Sequence, residues 1–123
     1  MAIGSLVSVV DDDESVRESL PDLLRELGFL AQSFSSAEKF LTSDSLNKTR
    51  CLILDVAMPD MSGPDLQREL TLRGHGIPII FITAHGDATI RPTLIKRGAV
   101  ECLLKPFSES DLLTALHSAF RVD

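Results

Sequence analysis

A chain of 123 residues is one domain's worth, and roughly two-thirds of its unfolded surface can be buried, enough for a core without metal or disulfide staples. Hydrophobic residues at 44 % against 24 % charged exclude a disordered tail, and two cysteines make neither a disulfide framework nor a metal quartet, which suits a reducing cytoplasm. A net charge of −6 argues against a domain that grips nucleic-acid phosphates by itself, and the longest apolar runs are too short to cross a bilayer.

Leu6–Val10 reads as a buried strand, crowded with Leu and Val. Val16, Leu20, Leu23, Leu24 and Leu27 then recur at three- and four-residue steps, predicting a first helix that Gly28 closes. Pro21 inside it predicts a kink on the solvent-facing side. Leu30–Phe34 is the second strand, and Ala37, Phe40 and Leu41 make a short second helix. After the third strand, Cys51–Leu54, the apolar face of a third helix is marked by Leu66, Leu70 and Leu72, with Pro64 near its first turn and Gly74 after it. Ile79–Ile82 is the fourth strand. Ile90, Leu94 and Ile95 suggest a fourth helix stopped by Gly98, and Pro92 predicts that it starts late or runs irregularly. Cys102–Leu104 is the fifth strand, and the last helix runs from about Glu109 to Arg121, with Ser108 and Asp111 at the spacing of a capping pair. Phe29, Phe34, Phe40 and Phe81 are core candidates.

Strand–helix units in alternation imply a parallel sheet covered on both faces, and right-handed crossovers make a doubly wound α/β sandwich the economical topology. Sites in such sheets form at the carboxyl ends of the strands. Polar residues cluster there: Asp11, Asp12 and Asp13 follow the first strand, Asp55 ends the third, Thr83 the fourth and Lys105 the fifth. An acidic run after a strand also suits a solvated loop that caps the next helix, and Asp13 fits that reading. Asp55 follows four apolar residues without a polar break, and a carboxylate at the end of a buried strand needs a partner or a reason. Three converging carboxylates repel one another unless a cation lies between them, and hard oxygen ligands favour Mg²⁺. Lys105 and the Thr83 hydroxyl would then hold the anion that joins the metal. That is the apparatus for phosphoryl transfer to a carboxylate nucleophile. No Ser–His–Asp order, P-loop, Gly-rich nucleotide fingerprint or HExxH segment competes with it.

Four motifs follow one another in order: Val9-Val10-Asp11-Asp12-Asp13, Leu54-Asp55-Val56-Ala57-Met58-Pro59-Asp60-Met61-Ser62-Gly63, Phe81-Ile82-Thr83-Ala84-His85 and Lys105-Pro106-Phe107. In these the sequence resembles the receiver domain of bacterial two-component response regulators over essentially its whole length, and most closely the receivers that precede a LuxR-type helix-turn-helix. The resemblance implies a single receiver domain, residues 1–123, with a five-stranded flavodoxin-like sheet in the order 2-1-3-4-5 and five helices. It implies that Asp55 accepts a phosphoryl group from a sensor histidine kinase, with Asp11 and Asp12 binding Mg²⁺ together with Asp55 and the backbone carbonyl of Ala57. It further implies Thr83 as the switch hydroxyl, Ala84 and His85 beside it as modulating positions, Lys105 as the phosphate contact, and a cis Lys105–Pro106 peptide. Such a protein is not an enzyme with a free substrate. It catalyses only its own phosphorylation and dephosphorylation, controls a downstream protein or output domain in the cytoplasm, and dimerises on phosphorylation.

The sequence departs from that family at one switch position. Receivers carry Tyr or Phe three residues before the lysine, whereas this chain has Cys102 there and no Tyr or Trp anywhere. A thiol cannot fill or vacate an aromatic-sized pocket, so output is expected to use the threonine half of the switch or movement of a helix. Cys102 itself reads as a small buried hydrophobe with nothing basic beside it in sequence. Met58 and Met61 read as loop packing, and His75 and His117 as surface residues. Two other functions fit less of the pattern. One is a phosphorylation-independent interaction module altered at Cys102 and Pro92. The other is a Mg²⁺-dependent phosphohydrolase or phosphotransferase, against which Ala57 counts, since a second acid would stand close after the nucleophile.

Overall fold

The computed structural model describes residues 4–84 and 90–121. Five strands, β1 (Leu6–Val10), β2 (Leu30–Phe34), β3 (Thr49–Asp55), β4 (Ile79–Thr83) and β5 (Glu101–Leu104), alternate with five helices, α1 (Glu14–Glu26), α2 (Ala37–Leu41), α3 (Gly63–Leu72), α4 (Ile90–Lys96) and α5 (Glu109–Ala119). All neighbouring strands run parallel in the order β2-β1-β3-β4-β5. The fold is the doubly wound sandwich that the alternation predicts, in the flavodoxin-like strand order that the resemblance implies.

Its central strands are apolar along most of their length because helices cover both faces of the sheet. Val7, Val9, Cys51, Ile53, Ile80 and Ile82 face one core with Leu20 and Leu24 of α1 and Leu112 and Leu116 of α5. The intervening residues Val10, Leu52, Leu54, Ile79 and Phe81 face the other, with Phe40, Leu66, Leu70 and Leu94. Two hydroxyls interrupt the apolar pattern and satisfy each other. Thr49 Oγ1 donates to the Ser45 carbonyl at 2.7 Å, so the Ser8 hydroxyl, 2.7 Å away, donates to Thr49.

Several local expectations need correction. Pro21 lies inside an α1 that no break interrupts, and its ring is buried rather than facing solvent. Pro92 lies within α4, two residues after Ile90, and the helix continues through it to Lys96. Leu72 is 76 % exposed and is no part of the α3 core face. The reciprocal capping box is at α3, where Ser62 Oγ accepts from Asp65 N–H and Asp65 Oδ2 accepts from Ser62 N–H. At α5 only half of it forms, with Ser108 Oγ accepting from Asp111 N–H. Asp111 here only fills the position. Gly28 closes α1 at a φ of 100°, which a residue with a β-carbon rarely adopts. Among the described residues no helix is long and apolar enough to cross a membrane.

Candidate functional site

The strand order gathers four strand ends at one edge of the sheet. Asp11 directly follows β1, Asp55 and Thr83 are the last residues of β3 and β4, and Lys105 directly follows β5. Backbone bonds continue the ladder past the strands: Asp11 N–H donates to the Phe34 carbonyl at 3.1 Å, Val56 N–H to Ile82 at 3.0 Å and Lys105 N–H to Thr83 at 2.7 Å. The site therefore stands on the rigid edge of the sheet.

Asp11 is fully buried and Asp55 nearly so, while Asp12 is exposed. Each of the three offers a carboxylate oxygen, and those oxygens lie within 4.8 Å of one another. Lys105 Nζ sits 2.8 Å from Asp11 Oδ2 and 3.7 Å from Asp55 Oδ1. One ammonium does not balance three carboxylates. Burial and the neighbouring Asp11 charge push the Asp55 carboxyl up to about 7, although Lys105 pulls it back down. Burial works against the Lys105 ammonium too, but the hydrogen bond and charge of Asp11, with Asp55 and Asp13 beyond it, outweigh that and raise its pKa. Lys105 is a fixed cation here.

This donor set fits a hard divalent cation. All three donors are carboxylates, they converge, and the excess negative charge that raises the Asp55 pKa is what a cation would relieve. Asp13 stands apart. Its Oδ1 accepts from Ser15 N–H and Oγ–H at 3.0 and 2.8 Å, which caps α1 and lowers its pKa.

The loop after Asp55 closes tightly. Gly63 N–H donates to the Val56 carbonyl at 2.9 Å. A β-carbon on Gly63 would lie 2.3 Å from the Asp55 carbonyl oxygen and 3.0 Å from the Phe81 ring. Gly63→Ala is therefore expected to cost about 3 kcal/mol through overpacking against backbone that cannot yield, read as a lower urea midpoint at unchanged slope.

A family model of the response regulator receiver domain matches residues 7–117. The chain belongs to the response regulator receiver family. The receiver is 46 % identical over 119 residues to the response regulator protein TodT of Pseudomonas putida, covering 97 % of this chain and 52 % of that protein. It is 40 % identical over 113 residues to the transcriptional regulatory protein FixJ of Rhizobium meliloti, covering 92 % and 55 %. The chain spans about half the length of the curated relatives it matches. Among solved structures it superposes on the response regulator StyR with a TM-score of 0.86 at 48 % identity, covering 94 % of this chain and 59 % of that one. On FixJ-N the TM-score is 0.84 at 38 % identity, covering 97 % of both chains.

The remaining positions singled out in the sequence fall as follows. Thr83 is half-buried at the end of β4, and Ala84 follows it on the surface. His85 lies outside the described residues. Ala57 is exposed in the loop two residues past Asp55, and the Lys105–Pro106 peptide is cis. Cys102 is buried in β5, and burial raises its thiol pKa. A basic neighbour absent from its sequence surroundings reaches it through space. Arg91 of α4 pairs with Glu101 at 2.7 Å, and Glu101 Oε1 also accepts from Cys102 N–H at 2.9 Å. Sequence reasoning also missed Arg17, whose Nη1 donates to the Asp11 carbonyl at 2.9 Å, and Asp60, which turns the loop after Asp55 at a φ of 68°. Arg17 carries no sequence signal, since it reads as an ordinary polar helix position, whereas Asp60 follows Pro59 and is a residue type that tolerates the left-handed turn.

Proposed function

We propose that Asp55 accepts a phosphoryl group from the phosphohistidine of a sensor histidine kinase, and that the acyl phosphate resets the surface read by a downstream partner. The observation that carries this reading is a nearly buried Asp55 carboxylate within 4.8 Å of Asp11 and Asp12 oxygens and 3.7 Å from a fixed lysine cation. An Asp55 oxygen attacks phosphorus, the new O–P bond forms as the N–P bond breaks, and the imidazole leaves with the bonding pair. Lys105 would hold a phosphoryl oxygen, and the Thr83 hydroxyl would donate to another. Asp11, Asp12, Asp55 and the Ala57 carbonyl would hold Mg²⁺, which when bound neutralises charge on the phosphoryl oxygens and on the carboxylates.

The donor must approach Asp55 closely. The cleft lined by Val16, Leu20, Leu23, Pro106 and Phe107 beside Lys105 offers an apolar face for it to rest on. Turning of Thr83 toward the phosphoryl group would pull on Ala84, His85 and α4, with Cys102 in place of the ring that other receivers move. We read residues 1–123 as a single cytoplasmic receiver domain whose output is a downstream protein or a LuxR-type output domain, with dimerisation on phosphorylation. The complete set of Asp11, Asp12, Asp55, Thr83 and Lys105 speaks against a phosphorylation-independent module.

The test is intact mass after incubation with acetyl phosphate and Mg²⁺. The wild type should gain one phosphoryl group, and neither Asp55→Asn nor wild type in EDTA should gain any. A folded, Mg²⁺-supplied wild type that stays unmodified would sink the reading.

A further inference from the structure

We propose that Arg17 is a positioning residue for the cation pocket: by holding the Asp11 carbonyl it fixes the peptide that sets the Asp12 carboxylate relative to that of Asp11. The proposal rests on the reading of Asp11, Asp12 and Asp55 as that pocket. Every polar atom of the buried Asp11 has a partner. Its N–H donates to the Phe34 carbonyl, Oδ1 accepts from Asp13 N–H at 2.9 Å, Oδ2 accepts from Lys105 at 2.8 Å, and its carbonyl accepts from Arg17 Nη1 at 2.9 Å. The first and third of these bonds tie Asp11 to β2 and β5. The fourth is made by a side chain of α1, whose first turn is itself locked by Asp13.

The Asp11 carbonyl belongs to the peptide plane that joins Asp11 to Asp12. Rotating that plane leaves the buried Asp11 carboxylate in place, because Lys105 and Asp13 N–H hold it, but swings the exposed Asp12 away. The bond from Arg17 Nη1 restrains this rotation. A ligand pair needs both members aimed at one point, and groups that orient ligands from outside typically contribute roughly tenfold or more in metal affinity.

The sign of the effect separates this role from the plain alternative. A guanidinium near three carboxylates repels an incoming cation, so a purely Coulombic Arg17 predicts that Arg17→Gln binds Mg²⁺ more tightly. A positioning Arg17 predicts the reverse. The chain has neither Trp nor Tyr, so MgCl₂ is titrated against the whole protein with amide NMR shifts as the readout. For Arg17→Gln the Kd for Mg²⁺ is expected to rise roughly tenfold. Arg17→Lys keeps the charge and one donor on a different reach, so it should fall between Gln and wild type. It also serves as the test variant if Gln does not fold. A lower metal-free melting temperature with an unmoved Kd assigns Arg17 a merely structural role and overturns the proposal, as does tighter binding. A wild type that shows no Mg²⁺-dependent shifts overturns the cation reading itself, and the proposal with it.

Discussion

Lys105→Met is expected to lower the stability of the metal-free protein by about 3 kcal/mol at pH 7.5, through the Asp11 carboxylate it leaves behind. Asp11 is fully buried, and Lys105 Nζ at 2.8 Å is the cation on its Oδ2. Methionine supplies similar bulk for the aliphatic stem, so packing is largely kept while an uncompensated buried charge appears. For a domain of this size the loss corresponds to roughly 10 °C in melting temperature. Two companions identify the cause. Added Mg²⁺ should restore part of the loss, because a cation among Asp11, Asp12 and Asp55 does some of the same neutralising. The double variant Asp11→Asn/Lys105→Met should recover most of it without metal, since neither charge remains. A melting temperature within a degree of wild type would mean that the pair contributes nothing to stability. Phosphoryl uptake from acetyl phosphate should fall in the single variant at every Mg²⁺ concentration.

The substitution Asp55→Asn should act in the opposite direction on stability. It keeps the shape of the side chain and removes a carboxylate that burial and Asp11 have pushed up to about 7. The sign of the pH dependence follows from that shift. In the unfolded chain this carboxyl ionises in the usual range near 4, whereas in the native protein it keeps its proton to about 7. Between those values the native state binds more protons, so this group's contribution to stability falls as pH rises. Above about 7 both states are ionised and the penalty is complete. In EDTA the wild-type melting temperature should therefore fall from pH 5 to pH 8 relative to Asp55→Asn, with the variant the more stable at pH 8 by roughly 3–6 °C, equivalent to about 1 kcal/mol. Mg²⁺ should raise the wild type more than the variant. Equal melting temperatures at pH 8, measured by circular dichroism, would show that the three carboxylates do not strain the metal-free fold. The same shift makes the ionisation of Asp55 near neutral pH sensitive to a cation beside it.

These opposed effects come from a single arrangement. The pocket concentrates negative charge at the end of a rigid sheet and supplies too little positive charge to balance it. Lys105 offsets enough of that charge for the protein to fold, and the excess that remains favours a cation. A site of this kind gives up stability in the absence of a cation for affinity toward one.

The alternation of apolar runs and amphipathic stretches determined the sheet and its five helices, because a strand covered on both faces must be apolar throughout, and Cys51–Leu54 and Ile79–Ile82 are. The strand ends determined the candidate site as well, since a doubly wound sheet leaves one edge at which Asp11, Asp55, Thr83 and Lys105 can meet. What the sequence left open was decided by partners distant along the chain. Leu72 stands two residues after Leu70, off the three- and four-residue steps that join Leu66 to the core, and the structure leaves it exposed, so it was its residue type and not its spacing that suggested the core. Pro21 and Pro92 raised the question of kinked or irregular helices, and each lies inside a helix that continues past it, Pro21 with its side chain buried. The link from Arg91 through Glu101 to Cys102 crosses from α4 to β5. The bond from Arg17 returns from α1 to a backbone carbonyl. Residue type and local spacing carry no record of such bonds, because a side chain's partner is set by the packing of elements and not by its neighbours in sequence.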